Sequence, residues 1–173
     1  MKLLEVIKSR RSVRSYKEAP VPKEDILKVL EAAIWAPSAG NLQPWEFVVV
    51  TDEKVKRVLF KASYGQPWVL EAPVVIVVCA DTRRTSRFYG ERGRNLYCIQ
   101  DTAAAIQNML LMAHYMGYGT CWVGAFDEEI VKRVVKAPEG VRPIALVTLG
   151  VPAEKPSPPK RRGLEEVVHW ETF

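Results

Sequence analysis

What this sequence has little of narrows its chemistry first. It holds two histidines, His114 and His169, and three cysteines in 173 residues. Cys79, Cys98 and Cys121 are odd in number, widely spaced and set among apolar neighbours. That is the pattern of buried reduced thiols in a cytosolic protein and not of a disulfide framework. No closely spaced set of His, Cys and carboxylates suggests a metal site, and no serine sits in a nucleophile elbow. A P-loop is missing, and Gly117-Tyr118-Gly119 lacks the third glycine of a dinucleotide fingerprint and follows a helical pattern. Long hydrophobic runs are missing too. The longest apolar stretch, Ala103 to Tyr118, is interrupted by Gln107, Asn108 and His114, so it reads as a buried helix and excludes a membrane span. The N-terminus has no apolar core of the kind a secretory signal carries. His114 is expected to be a satisfied core residue. An enzyme with so few strong acids, bases or metal ligands needs an organic cofactor to carry its chemistry.

The remaining composition is that of a globular chain, 48% hydrophobic with a mean hydropathy of -0.07. At this length the simplest organisation is one domain over residues 1–173, able to bury roughly 70% of the unfolded chain's surface. The net charge is +5, but the bases are scattered among 20 acids and are dense only in two or three loops. That distribution suits small anions better than a continuous nucleic-acid backbone, so neither nucleic acid nor membrane is expected as a partner.

Two polar segments stand out, one on each side of a helical stretch. Ser9-Arg10-Arg11-Ser12-Val13-Arg14 places three guanidiniums and a hydroxyl within five residues, a good cradle for phosphate oxygens. Ala36-Pro37-Ser38-Ala39-Gly40-Asn41-Leu42-Gln43-Pro44-Trp45 offers small side chains and amides that can approach a planar heterocycle. One segment suits a phosphate and the other a ring, which suggests a nucleotide-like cofactor.

Periodicity predicts a short first helix through Leu3, Leu4 and Ile7, and a second through Ile26, Leu27, Leu30, Ala33 and Ile34 that stops before Pro37. A strand over Trp45–Val50 follows, then a helix capped by Asp52. Val74 to Val78 reads as a strand buried on both faces. Residues 82–95, with Arg83, Arg84, Arg87, Arg92 and Arg94 beside Gly90 and Gly93, read as an exposed loop or lid. A nearly all-apolar helix is expected over about Leu96–Met116, covered on all sides within the fold or at a subunit interface. Cys121-Trp122-Val123 and Ile144–Leu149 read as strands, with a helix capped by Asp127 between them. Pro152, Pro156, Pro158 and Pro159 make 151–162 an extended stretch opening a C-terminal arm over 151–173.

The run at 10–14, the run at 37–45, Gly119-Thr120-Cys121-Trp122-Val123-Gly124-Ala125 and Leu164-Glu165-Glu166-Val167-Val168-His169-Trp170 come in a set order. In that order and spacing they closely resemble the nitroreductase family of FMN-dependent NAD(P)H oxidoreductases, over essentially the whole chain. The resemblance implies an α+β sandwich, with a small, mostly antiparallel sheet between helices, assembled as an intertwined homodimer with FMN at the interface.

By position it implies Arg10, Arg11, Ser12 and Arg14 as phosphate and ribityl ligands, with an exposed charge as the alternative for Arg14. Pro37, Ser38, Ala39 and Asn41 would approach the flavin from the other subunit, with Gln43 beside them and Trp45 as packing. Trp122, Val123 and Gly124 match a segment lining one face of the ring, with core packing as the alternative for Trp122. Gln66 matches a further contact loosely. Arg161 aligns with a phosphate ligand, and the adjacent Lys160 and Arg162 leave that assignment open by one position. No catalytic side chain is implied, because the flavin carries the chemistry. NADH or NADPH would donate hydride, and a small organic acceptor (nitroaromatic, quinone or flavin-like) would then be reduced in ping-pong order, in the cytoplasm. The alternatives are another FMN reaction on the same scaffold, such as reductive dehalogenation or flavin fragmentation, or a non-enzymatic flavin- or nucleic-acid-binding module. The arginine-rich lid departs from the mostly neutral lid expected of the family, leaving acidic acceptors, the 2′-phosphate of NADPH or plain solvation as its explanation.

Overall fold

The structure is a computed structural model that describes residues 2–173. Its elements run α1 (Leu3–Ser9), α2 (Lys23–Ile34), β1 (Trp45–Val50), α3 (Glu53–Ala62), α4 (Pro67–Glu71), β2 (Val74–Asp81), α5 (Thr82–Arg92), α6 (Cys98–Tyr115), β3 (Gly119–Val123), α7 (Glu128–Val134) and β4 (Val141–Gly150), with short 3-10 turns at Ala39–Asn41 and Leu164–Glu166.

The four strands form one sheet in the order β1-β2-β4-β3, antiparallel at every pairing. β2 is central and its side chains divide the core. Val74, Ile76 and Val78 face a cluster with Ile26, Val29 and Ala33 of α2 and Ala105, Ile106, Met109 and Ala113 of α6. Val75, Val77 and Cys79 face the opposite cluster, with Leu59 of α3, Val69 of α4, Val131 of α7 and Leu146. Alternation along a pleated strand puts successive residues on opposite faces, so a continuous β-branched run needs helices on both. The result is the expected α+β sandwich. The ladder between β2 and β4 slips beside Val78/Cys79, where Cys79 faces Pro143 and Ile144 is left out of register. A bulge is where a strand tolerates proline, which has no N–H for the ladder.

The expected caps are present. Asp52 accepts from Val55 N–H and Asp127 from Ile130 N–H, each at 3.0 Å. The loop reading needs correction, because residues 82–92 are a helix, though its arginines are exposed as expected. Asp81 accepts from the Arg83 and Arg84 N–H groups at its start, and Thr82 and Thr85 bury the face that aliphatics would usually supply. The helix kinks at Gly90 (φ 53°) and continues through a π-turn, Gly93–Tyr97, into α6. α6 is shorter than expected, and in the single chain only part of it is covered. Its buried stripe runs Cys98, Asp101, Thr102, Ala105, Ile106, Met109, Leu110 and Ala113, while Gln107 and Tyr115 are exposed.

Candidate functional site

The basic run is anchored to the edge of the sheet. Ser12 forms a parallel bridge with Thr120 of β3, and Val13 N–H donates to Thr120 O at 2.9 Å. Tyr16, just beyond, donates its hydroxyl to Val13 O at 2.8 Å and meets the Thr148 hydroxyl at 2.6 Å. Burial pushes the Tyr16 phenol well above its ordinary range, keeping it neutral and able to donate. Thr148 also accepts from Cys121 N–H at 3.1 Å, so one hydroxyl pair ties the run to both β3 and β4. Gly119 completes the fit. A Cβ there would lie 2.9 Å from three atoms of the Val13 side chain.

The arm lies over the same run. Lys17 N–H donates to Val151 O and Ala153 N–H to Ser15 O, each at about the usual length (2.9 and 3.0 Å). Pairing at 15–17 directs the proline-rich stretch so that Arg10, Arg11, Ser12, Arg14, Pro156, Ser157, Pro159 and Arg161 line one cavity of about 300 Å³. Of the three adjacent bases, Arg161 lines that cavity, while Arg162 pairs with Glu166 at 3.6 Å. Arg11 is partly committed elsewhere. Its Nη1 donates to Lys8 O and Arg10 O at 2.7 Å, satisfying carbonyls at the end of α1. Arg14 places its guanidinium 5.3 Å from the centre of the Trp68 ring.

These guanidiniums repel one another. Desolvation, then the charges of Arg11 and Arg161, hold Arg10 below its ordinary value. A dianionic phosphomonoester relieves both strains by supplying counter-charge and acceptor oxygens, so the donor set fits a phosphate. On β3, whose Thr120 pairs with Ser12, Trp122 is 38% exposed whereas Val123 is 2% exposed and faces the core, leaving Val123 only its backbone for a ligand. Gln66 donates to Ser63 O and Ala125 O, both at 2.9 Å, which holds the loop after Gly124 against α4.

The second segment is elsewhere. Residues 37–44 lead into β1, at the far edge of the sheet from β3. Three strand spacings separate those edges, roughly 14 Å at about 4.8 Å each. None of Pro37, Ser38, Ala39, Asn41 or Gln43 lines the arginine cavity. Ser38 Oγ accepts from Gln43 N–H at 3.0 Å, and Ala39 N–H donates to Asp101 of α6 at 3.0 Å. From α5, the Arg84 guanidinium donates to Leu42 O. Trp45 is buried in the α2/α6 cluster, as packing requires.

Several positioning groups lay outside the sequence reading: Tyr16, Thr148, Trp68 and Asp101. An isolated Tyr, Thr or Trp carries no local signal. Asp101 is the one of the four whose place patterning could flag, as an acid on the buried stripe of α6. His114 is only partly buried. It contacts Ser9 Oγ at 2.7 Å and lines a cavity of about 380 Å³ beside the arm, rather than packing in the core. The three cysteines are buried and unpaired. Among the described residues, no group of three or more His, Cys, Asp or Glu is placed to hold a metal ion, and no helix is long and apolar enough to cross a membrane.

Fold and cavity together make an α+β sandwich with an arginine-lined cavity at one sheet edge. The chain belongs to the nitroreductase family, whose model matches residues 7–70 and 60–151. It is 36% identical to an NADH dehydrogenase of Thermus thermophilus, covering 93% of this chain and 92% of that one. It is 31% identical to an FMN reductase [NAD(P)H] of Bacillus subtilis, covering 98% and 74%. The solved structure of an NADPH:FMN oxidoreductase from Vibrio harveyi complexed with NAD+ superposes with a TM-score of 0.91 at 26% identity, over 99% of this chain and 77% of that one.

Proposed function

We propose that this chain is an FMN-dependent NAD(P)H oxidoreductase that reduces a small organic acceptor. The observation that carries the reading is the cavity lined by Arg10, Arg11, Arg14 and Arg161. Relatives named as FMN reductases and as an NADH dehydrogenase support the same choice of cofactor and donor. Arg10, Ser12, Arg14 and Arg161 would hold the phosphate, with Arg11 contributing its remaining donors. Trp122 and the backbone of Val123 and Gly124 would line one face of the ring, and Gln66 would keep that loop in place.

Bound flavin supplies two-electron redox chemistry that no side chain here offers. The chain's own groups position, exclude water and stabilise charge. Backbone N–H groups at 123–124 would act on negative charge developing at the ring. Donor and acceptor would use one open cleft in turn, the ping-pong order.

The separation of the two segments supports a homodimer, in which a second copy brings Pro37, Ser38, Ala39, Asn41 and Gln43 to the clamp of the first. An apolar hollow of about 440 Å³, lined by Leu3, Val6, Trp35, Leu111, Met112 and Tyr115, gives that second copy a surface to cover. Trp35 is 79% exposed in the single chain. A solvated apolar face of that kind supports an interface there.

The test is direct. Purified protein should show flavin absorbance bands that bleach with NADH or NADPH, and heat-denatured protein should release FMN. Release of FAD would overturn the closed clamp, and a colourless protein that takes up no added FMN would overturn the function. Parallel lines in initial-rate plots would support the ping-pong order, and intersecting lines would remove it.

A further inference from the structure

The turn at 38–43 is strained. Gly40, Asn41 and Gln43 take φ of 56°, 54° and 50°, the left-handed region that residues other than glycine rarely adopt. Such a backbone persists only where its surroundings over-determine it. Besides the turn's own backbone bonds, the restraints that face solvent are the Ser38 hydroxyl on Gln43 N–H, the Gln43 amide donating to Asn41 O at 3.2 Å, and the exposed Arg84 guanidinium donating to Leu42 O.

One restraint comes from the core. Asp101 lies in the first turn of α6, 7% exposed, and its Oδ1 accepts the Ala39 N–H at 3.0 Å. Its other oxygen, Oδ2, is buried with no hydrogen-bond partner among the described residues. Burial pushes this carboxyl above the usual carboxylate range, and the Ala39 bond pulls it only part of the way back. A half-satisfied acid in the apolar stripe of a helix is a poor choice for stability alone. Its single protein bond reaches the strained turn.

We propose that Asp101 is a positioning residue for flavin binding. Through the Ala39 N–H it holds the 38–43 turn in the left-handed form that presents Ser38 and Asn41 to the ring. The inference rests on the reading that this turn contacts FMN.

The test titrates flavin-stripped, full-length protein with FMN and with riboflavin. Asp101→Asn keeps an oxygen for the Ala39 N–H and should hold both affinities within about threefold of wild type. Asp101→Ala removes the acceptor and should weaken both by about tenfold, the scale of one charge-assisted bond. The ratio of FMN to riboflavin affinity should not change, because the arginine clamp lies at the other sheet edge. Undiminished affinity in Asp101→Ala overturns the proposal, as does a loss confined to FMN.

Amide hydrogen exchange on the wild-type apoprotein gives a second measurement that needs no variant to fold. Ala39 N–H should exchange more slowly than the neighbouring Gly40 N–H, and equal rates overturn the anchoring role. Should wild type bind neither flavin, the FMN reading falls and the flavin role with it. The exchange comparison would still decide whether Asp101 holds the turn.

Discussion

Arg10 shows how much one side chain's surroundings say about its partner. Its guanidinium is partly desolvated and faces Arg11 and Arg161, an arrangement that an anion improves and that water alone does not. Arg10→Ala should cost about 1.5–3 kcal/mol of FMN binding, roughly tenfold to a hundredfold in affinity, while leaving riboflavin affinity unchanged. Flavin fluorescence titration checks both. His114 carries a pH effect of known sign. Burial, then Arg10 and Arg11, hold its imidazole below the ordinary value, so the folded state favours the neutral ring. That contribution is present above the unfolded value near 6.5 and is lost as pH falls below it. The apoprotein's Tm should therefore drop between pH 7.5 and 5, and less steeply in His114→Gln. The thiols offer a simpler check. Burial raises Cys79 to about 12 and raises Cys98 and Cys121 as well. A thiol reagent at pH 8 should modify none of them in native protein and all three after denaturation. At this scale the arginines were legible because charge clustering is a local property of sequence. Tyr16 and Thr148 were not, since a hydroxyl pair spanning 132 positions leaves no local trace.

Among the elements, β2 and the capped helices α3 and α7 follow from period and capping residues alone. α5 does not. Its buried face is made of threonines and its exposed face of arginines, so a reading that looks for aliphatic spacing finds a loop. The helix also narrows what its arginines do. Arg84 is engaged with Leu42 O, and the Arg83 side chain lies within 2.3 Å of where a Cβ on Gly140 would sit. Those contacts set both side chains against neighbouring backbone, while the Nη groups of Arg84 keep their donors. Arg83→Gln should accordingly leave the NADPH to NADH ratio of kcat/KM unchanged, and a shift towards NADH would return this residue to the cleft. At the other edge, Gly119 permits β3 and the basic run to approach. Gly119→Ala pushes a methyl into Val13 and should destabilise by roughly 1–3 kcal/mol, read as a lower urea midpoint, with FMN affinity falling in the same variant. The glycine was visible in sequence only as part of a motif; its reason is a contact with a residue 106 positions earlier.

For the whole molecule, the sandwich was legible and the arrangement of its site only in part. The resemblance implied that 10–14 and 37–45 reach one ligand from different subunits, and the strand order puts them at opposite edges of the sheet, a separation not written in any one segment. The apolar face around Trp35 and Leu111 links those two facts. Leu111→Glu should give a monomer by sedimentation velocity, and that monomer should lose its FMN even though every arginine of the clamp remains. A monomeric variant that retained FMN at wild-type affinity would show that each chain's site is complete by itself.

The strand order has a further consequence, for how the protein behaves on dilution. If each binding place is assembled from two halves carried by different chains, occupancy depends on the amount of protein as well as the amount of flavin. At low concentration the yellow colour would fade faster than linearly, and added FMN would draw chains together as it fills the gap between them. Flavin would then serve as an assembly signal, and a cell that made too little of the chain would gain almost no activity from it.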